Sequence, residues 1–241
     1  MYPTEQSARS RKQEFPSRTF SIESALFKRA AKDSSRTLFT PLHYEANYAY
    51  PLLVWLHAEG DDESQLQRIM PLLSLRNYAA VAPRGFPREQ GGFAWPQTPD
   101  HIQEAEHRVF DGIEAAAAEL HVSLDRIFLA GYGSGGTMAL RLAMNHPARF
   151  AGVLSICGGL PSDHQPFSQL NQARRLPVLL AVGHESRAYS PAMACDNLRL
   201  LHTAGISVML RLYPCSQELI PRMLGDVDCW VMEQITAPRE D

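Results

Sequence analysis

The 241-residue sequence contains no long apolar run. No stretch near the amino terminus offers the roughly 7 to 15 consecutive apolar residues of a secretory signal, and none is long enough to cross a bilayer. A cytoplasmic protein without a membrane span is therefore expected. Cysteine is sparse. Cys157, Cys195, Cys215 and Cys229 include no Cys-x-x-Cys pair and no regular spacing, which excludes a disulfide framework and predicts free thiols. The nine histidines form no His-Glu-x-x-His or His-x-His cluster, so the sequence offers no metal site and calls for no cofactor. Charge of one sign is also missing. The formal net charge of -3 gives no field that would gather nucleic acid or an acidic membrane. Arg9, Arg11, Lys12 and Arg18 cluster within residues 1–20, but Glu5 and Glu14 interrupt them, so this stretch reads as a solvated, disordered arm. Internal repeats and low-complexity tracts are absent as well.

What is present is an alternation of apolar strands and amphipathic helices across residues 21–241, consistent with one domain of 45% apolar residues. A short amphipathic piece around Ile22 to Ala31 precedes an outer strand at Thr37–Leu42. Pro51–His57 (PLLVWLH) and Ala79–Pro83 (AAVAP) are continuous apolar runs, the pattern of strands covered on both faces. A helix is expected near Glu63–Leu73. Between Arg84 and Asp100 a long loop rich in proline and glycine carries Phe93 and Trp95. Ala105, Val109, Ile113, Ala117 and Leu120 then recur at near-helical intervals. Strand Ile127–Gly131 turns through glycines into a helix at Thr137–Met144. Strands Ala151–Cys157, Val178–Gly183 and Ser207–Tyr213 follow. A last helix has Pro221 in its first turn, with Met223, Val227, Trp230, Val231 and Met232 or Ile235 facing the core. This rhythm implies βαβ units: a mostly parallel sheet of seven or eight strands with helices on both faces.

The segment Leu129-Ala130-Gly131-Tyr132-Gly133-Ser134-Gly135-Gly136-Thr137-Met138-Ala139-Leu140 closely resembles the nucleophile elbow of the phospholipase/carboxylesterase family of α/β-hydrolases, Gly-aromatic-Ser-x-Gly-Gly-Thr-Met-Ala-Leu. The resemblance covers roughly residues 37 to 235. It includes Leu52-Leu53-Val54-Trp55-Leu56-His57 with Gly60-Asp61-Asp62-Glu63, where Ala58 replaces the usual glycine after the histidine. It also includes Leu75-Arg76-Asn77-Tyr78, Val81-Ala82-Pro83-Arg84-Gly85 and Gly91-Gly92-Phe93-Ala94-Trp95.

The resemblance implies an α/β-hydrolase fold and a serine esterase site, but the three catalytic positions hold other residues. Aligned on Gly131, Gly135 and Gly136, the nucleophile position is Gly133. The aspartate of His-Gly-x-x-Asp falls at Ser186 of Val182-Gly183-His184-Glu185-Ser186, and the histidine of Tyr-Pro-x-x-His-Glu at Gln217. Glycine has no hydroxyl and glutamine does not exchange protons near neutral pH, so covalent acyl transfer by this row is lost. No catalytic residue is expected at these positions. The family's backbone oxyanion donors match Glu59 and Ser134, and His57, Tyr132, Trp95 and His184 are expected to line the pocket, although His57, at a strand end, also reads as bonding to neighbouring backbone and Trp95 equally as packing. A helix amino terminus attracts carboxylates, so a small acyl or carboxylate ligand is one expectation and a protein partner another; Arg84 and Arg187 are candidate anion partners. Ser134 reads as a helix cap. It is also the fallback nucleophile, with His184 beside it, of an alternative reading in which the chain is an active carboxylic-ester or thioester hydrolase. Cys215 reads as a buried thiol.

Overall fold

The computed structural model describes residues 26–29, 36–163 and 168–237; the amino-terminal arm and its basic cluster lie outside them. The strands are β1 (Phe27–Arg29), β2 (Arg36–Phe39), β3 (Tyr50–Leu56), β4 (Ala79–Pro83), β5 (Phe86–Pro87), β6 (Phe93–Ala94), β7 (Val122–Tyr132), β8 (Gly152–Ile156), β9 (Val178–Gly183) and β10 (Val208–Tyr213). The helices are α1 (Gln65–Leu73), α2 (Pro99–Glu119), α3 (Ser134–Asn145), α4 (Leu170–Ala173), α5 (Pro191–Thr203) and α6 (Pro221–Thr236).

Eight strands form one sheet in the order β1-β2-β4-β3-β7-β8-β9-β10. From β4 to β10 every neighbouring pair is parallel, and only β1 with β2 and β2 with β4 run antiparallel. The expected mostly parallel sheet is thus present. The alternation of side chains along β3 explains its two covers. Leu52, Val54 and Leu56 face α2 and α3, packing with Val109, Ile113 and Met138. Leu53 and Trp55 face the other way, onto Leu66, Ile69 and Met70 of α1 and Met223, Val227 and Trp230 of α6. Both faces of β3 are buried, as its unbroken apolar run requires.

Three sequence expectations change in detail. The piece around Ile22 to Ala31 includes the short strand β1, paired with β2 at Phe27 opposite Phe39. The long loop contains the two-residue strands β5 and β6, too short to leave a periodic trace. On α2 it is Ala116, not Ala117, that reaches the core: successive four-residue steps overshoot a 3.6-residue turn by about 40° each, so the stripe resets with a three-residue step. Among the described residues, no helix is long and apolar enough to cross a membrane.

Candidate functional site

Strand β4 lies on one side of β3 and β7 on the other, so the connections leaving β3 and β7 diverge and open a crevice at the carboxyl ends of the strands. Gly133 sits in this crevice, between β7 and α3, with φ 57° and ψ -121°. Residues with a Cβ avoid that backbone region. The turn is held by the Gly133 N–H donating to the Ile156 carbonyl at 2.8 Å and by the Thr137 N–H donating to the Gly133 carbonyl at 3.1 Å. Glycine elsewhere in the motif permits close approach: a Cβ on Gly135 would lie 2.3 Å from the Leu56 carbonyl oxygen and 2.4 Å from that of His57. A Cβ on Gly133 would meet nothing within 4 Å. The elbow therefore keeps its sharp backbone and leaves open the space into which a side chain at 133 would project.

Ser134 is the first residue of α3, and Gly133 occupies the cap position. The capping role expected for Ser134 is not realised, because the chain enters the helix one residue earlier than that role needs. Its Oγ is buried and has no hydrogen-bond partner among the described residues. Its N–H opens the helix, where no intrahelical acceptor exists.

The other expected donor, Glu59, lies on a firmly held loop. Its carboxylate pairs with Arg88 of the β5–β6 hairpin at 2.8 Å, while Gly60 N–H donates to the Phe93 carbonyl at 2.8 Å and Phe93 N–H to the Asp61 carbonyl at 3.0 Å. Glu63, 1% exposed, receives two hydrogen bonds of 2.5 Å from the Arg84 guanidinium, which also lies 4.9 Å over the Phe93 ring. Arg84 is therefore committed to Glu63 and does not serve as the free anion partner its position suggested; Arg187 is exposed. Gln65 adds a brace, accepting from the Trp55 indole N–H at 2.7 Å and from the Ala58 N–H at 3.3 Å. From the α2 side, Arg108 donates to the carbonyls of Arg84 and Gly85 at 3.0 and 2.7 Å and stacks on Phe86 at 4.2 Å.

His57 and Trp95 belong to this scaffold. The Gly85 N–H donates to His57 Nε2 at 2.9 Å, which leaves Nδ1 to carry the ring proton and donate to the Ala58 carbonyl at 2.8 Å. Burial lowers the pKa of His57 and keeps the ring neutral, although the Ala58 carbonyl and nearby Asp61, Asp62 and Glu63 oppose the shift. The Trp95 indole donates to the His57 carbonyl at 3.1 Å and is 1% exposed. The sequence leaves both between lining a pocket and bonding or packing within their own scaffold. Their polar atoms are consumed by backbone partners inside the loop packing. Sequence reasoning missed Gln65 and Arg108, whose bracing roles depend on contacts across several elements.

Ser186 and Gln217 follow β9 and β10, which run parallel to β7, so both loops emerge at the same sheet edge as Gly133. The loops are stitched together by His184 N–H donating to the Tyr213 carbonyl at 2.7 Å and Glu185 N–H to the Cys215 carbonyl at 3.0 Å. Ser186 is buried, and its Oγ accepts from the Tyr189 N–H at 3.4 Å. Gln217 is exposed, and its carbonyl accepts a hydrogen bond from the hydroxyl of Tyr132, the residue preceding Gly133. That contact ties the last loop to the elbow. Burial, reinforced by Cys157, Cys215 and Glu218, pushes the Tyr132 phenol up to about 12, so it remains a neutral donor. The His184 side chain is exposed. Burial also raises the pKa of the Cys157 and Cys215 thiols, disfavouring the thiolate that a nucleophile needs. All four cysteines are free.

The sequence pattern of the phospholipase/carboxylesterase family matches residues 46–233. The chain belongs to that family. Residues of the NocK protein of Nocardia uniformis subsp. tsuyamanensis are 31% identical over 137 positions, covering 55% of this chain but only 39% of NocK. A rice protein (Oryza sativa subsp. japonica) named a probable carboxylesterase is 22% identical over 233 residues, 86% of each chain. Among solved structures, a carboxylesterase from Mesorhizobium loti superposes with a TM-score of 0.68 at 19% identity, covering 86% of this chain and 99% of that one. This last likeness speaks for the α/β-hydrolase fold.

Proposed function

We propose that this chain is a non-catalytic member of the phospholipase/carboxylesterase family that holds a small acyl or carboxylate ligand in the crevice over the elbow, with a protein partner as the other occupant such a crevice can take. Gly133 carries the reading: the residue in the elbow turn has the family's sharp backbone and no side chain. Acyl transfer by the family's row needs a nucleophile, a base and an orienting carboxylate, and the positions matched to them hold Gly133, Ser186 and Gln217. What remains is backbone chemistry. The N–H groups at the start of α3 favour a carboxylate or a polarised carbonyl, and pairing with Arg88 offsets the negative charge of Glu59 beside them.

The second reading, hydrolysis of a carboxylic ester or thioester through Ser134, draws on the unpartnered Oγ and on the family's esterase members. That same lack of a partner weighs against it, because an activated serine contacts its base. Purified protein should hydrolyse short-chain p-nitrophenyl esters no faster than background, should not be labelled by a fluorophosphonate, and should behave identically as Ser134→Ala. Turnover that disappears in Ser134→Ala would establish the second reading instead. Octanoate or butyrate should raise the melting temperature of wild-type protein, whereas a bulky side chain introduced by Gly133→Phe, projecting into the open space, should abolish that shift.

A further inference from the structure

Among the described residues, strand β10 forms one border of the sheet and pairs with β9 alone. The Val178 N–H donates to the Ser207 carbonyl at 2.9 Å and the His184 N–H to the Tyr213 carbonyl at 2.7 Å. Because backbone groups alternate sides along a strand, Ser207, Met209, Arg211 and Tyr213 address β9, and Val208, Leu210 and Leu212 present their N–H and C=O groups outward. These outward groups have no hydrogen-bond partner among the described residues. The run is bounded on both sides. The Ile206 N–H is used by the Leu201 carbonyl, and Pro214 has no N–H to offer.

An open edge of this kind templates pairing with another chain unless it is blunted by proline, lysine, a bulge or shortness. At the opposite border the described strand, β1, is three residues long. Strand β10 has no proline, lysine or bulge, and its one charge, Arg211, is drawn to Asp226 of α6: its register with β9 is continuous over six residues, and Met209 and Leu212 are 40% and 46% exposed.

We propose that β10 pairs antiparallel with β10 of a second copy of this chain about a two-fold axis at Leu210. That register alone pairs all three outward residues of both copies. Val208 meets Leu212 of the other copy and Leu210 meets its own equivalent, so three outward residues per copy close about six hydrogen bonds. On the other face the strand's sole charge, Arg211, paired at 3.4 Å with Asp226 of α6 in its own chain, stands opposite Met209 of the other copy. Moving the register one step in either direction would lose one hydrogen-bonded pair. Pairing extends both sheets into one and leaves the two elbows at opposite margins, neither covering the other. This inference is independent of the proposed ligand.

Sedimentation equilibrium of the full-length protein tests it. At about 100 µM the mass should approach twice the 26.9 kDa of one chain. Leu212→Lys, at an exposed position, should weaken association at least tenfold while leaving the circular dichroism spectrum unchanged and, at a dilution where wild type is also monomeric, the melting curve too. Met209→Lys, placed opposite Arg211 of the other copy, should weaken association, and Met209→Glu should associate more tightly than Met209→Lys. A wild-type monomer at that concentration overturns the proposal. So does a dimer indifferent to these substitutions, as association through the amino-terminal arm or another face would be.

Discussion

Replacing Gly133 by serine restores the family's nucleophile to its turn, and the structure fixes what that restoration should cost. The space around a Cβ at 133 is empty to 4 Å, so no neighbour needs to move and the penalty lies in the backbone alone. At φ 57° and ψ -121° the residue is outside even the small left-handed region open to other amino acids. Holding an L-residue there costs about 1–3 kcal/mol. Removing the flexibility of glycine from the unfolded chain returns about 0.4–1 kcal/mol. A net loss of about 1–2 kcal/mol follows, which for a domain of this size lowers Tm by about 2–8 °C. Denaturant unfolding with a shared m-value would measure it. Gly133→Ala should lose nearly as much as Gly133→Ser, since the hydroxyl is not the source. Unchanged or increased stability would refute the strained geometry of the turn, and a loss above about 4 kcal/mol would refute the open space over it.

Two further outcomes follow from the same packing. Gly135→Ala should cost more than about 4 kcal/mol or abolish soluble folding, because its Cβ would meet two rigid backbone carbonyls at 2.3 and 2.4 Å; a melting temperature within a few degrees of wild type would contradict that contact. Stability should also fall on acidification in two stages. His57 has a folded-state pKa below its ordinary 6.5, chiefly through burial, so its contribution is complete above pH 6.5 and declines as pH falls through the depressed value. Glu63 is pulled below 4.5, burial being outweighed by the Arg84 hydrogen bonds and a backbone N–H, so its contribution is complete above pH 4.5 and is lost on further acidification. Glu63→Gln should flatten the lower stage of a stability-against-pH curve and leave the upper one; a curve identical to wild type below pH 4.5 would exclude the Arg84–Glu63 pair as its source.

The parts of this fold legible in the sequence were those fixed by local pattern. Ala79–Pro83 and Val178–Gly183 have the same bounds as strands in both readings, because each is a buried run ended by a proline or glycine turn. Val122–Tyr132 was seen only from Ile127, since Ser123, Leu124, Asp125 and Arg126 lack the apolar continuity of its buried half. The elbow was recoverable because close approach demands glycine at particular spacings. The backbone bonding of His57 was legible from its place at a strand end, but the destinations of Trp95 and Arg84 were not. Each has a side chain able to face either a ligand or its own scaffold, and only the hairpin of Phe86–Pro87 with Phe93–Ala94, held by long-range hydrogen bonds, decides for the scaffold.

That scaffold bears on why an elbow persists without a nucleophile. A serine in this turn carries strain that glycine releases, so the exchange at 133 stabilises the chain even as it removes the reacting atom. No comparable relief maintains the loop that carries Glu59. It is held by the Glu63–Arg84 pair, the Gln65 brace and the Gly60–Phe93 contacts, which order backbone that would otherwise be mobile. Relaxation explains the glycine; the order of the loop that carries Glu59 needs another reason, and the binding without turnover proposed above supplies one, because a carboxylate is recognised by the same kind of N–H groups that steady an oxyanion. Loosening the loop therefore separates the two ideas. Arg84→Ala should leave the Gly133 turn intact, weaken carboxylate-induced thermal stabilisation several-fold, and change nothing in esterase background; unaltered ligand response in that variant would show that the loop's order serves the fold alone.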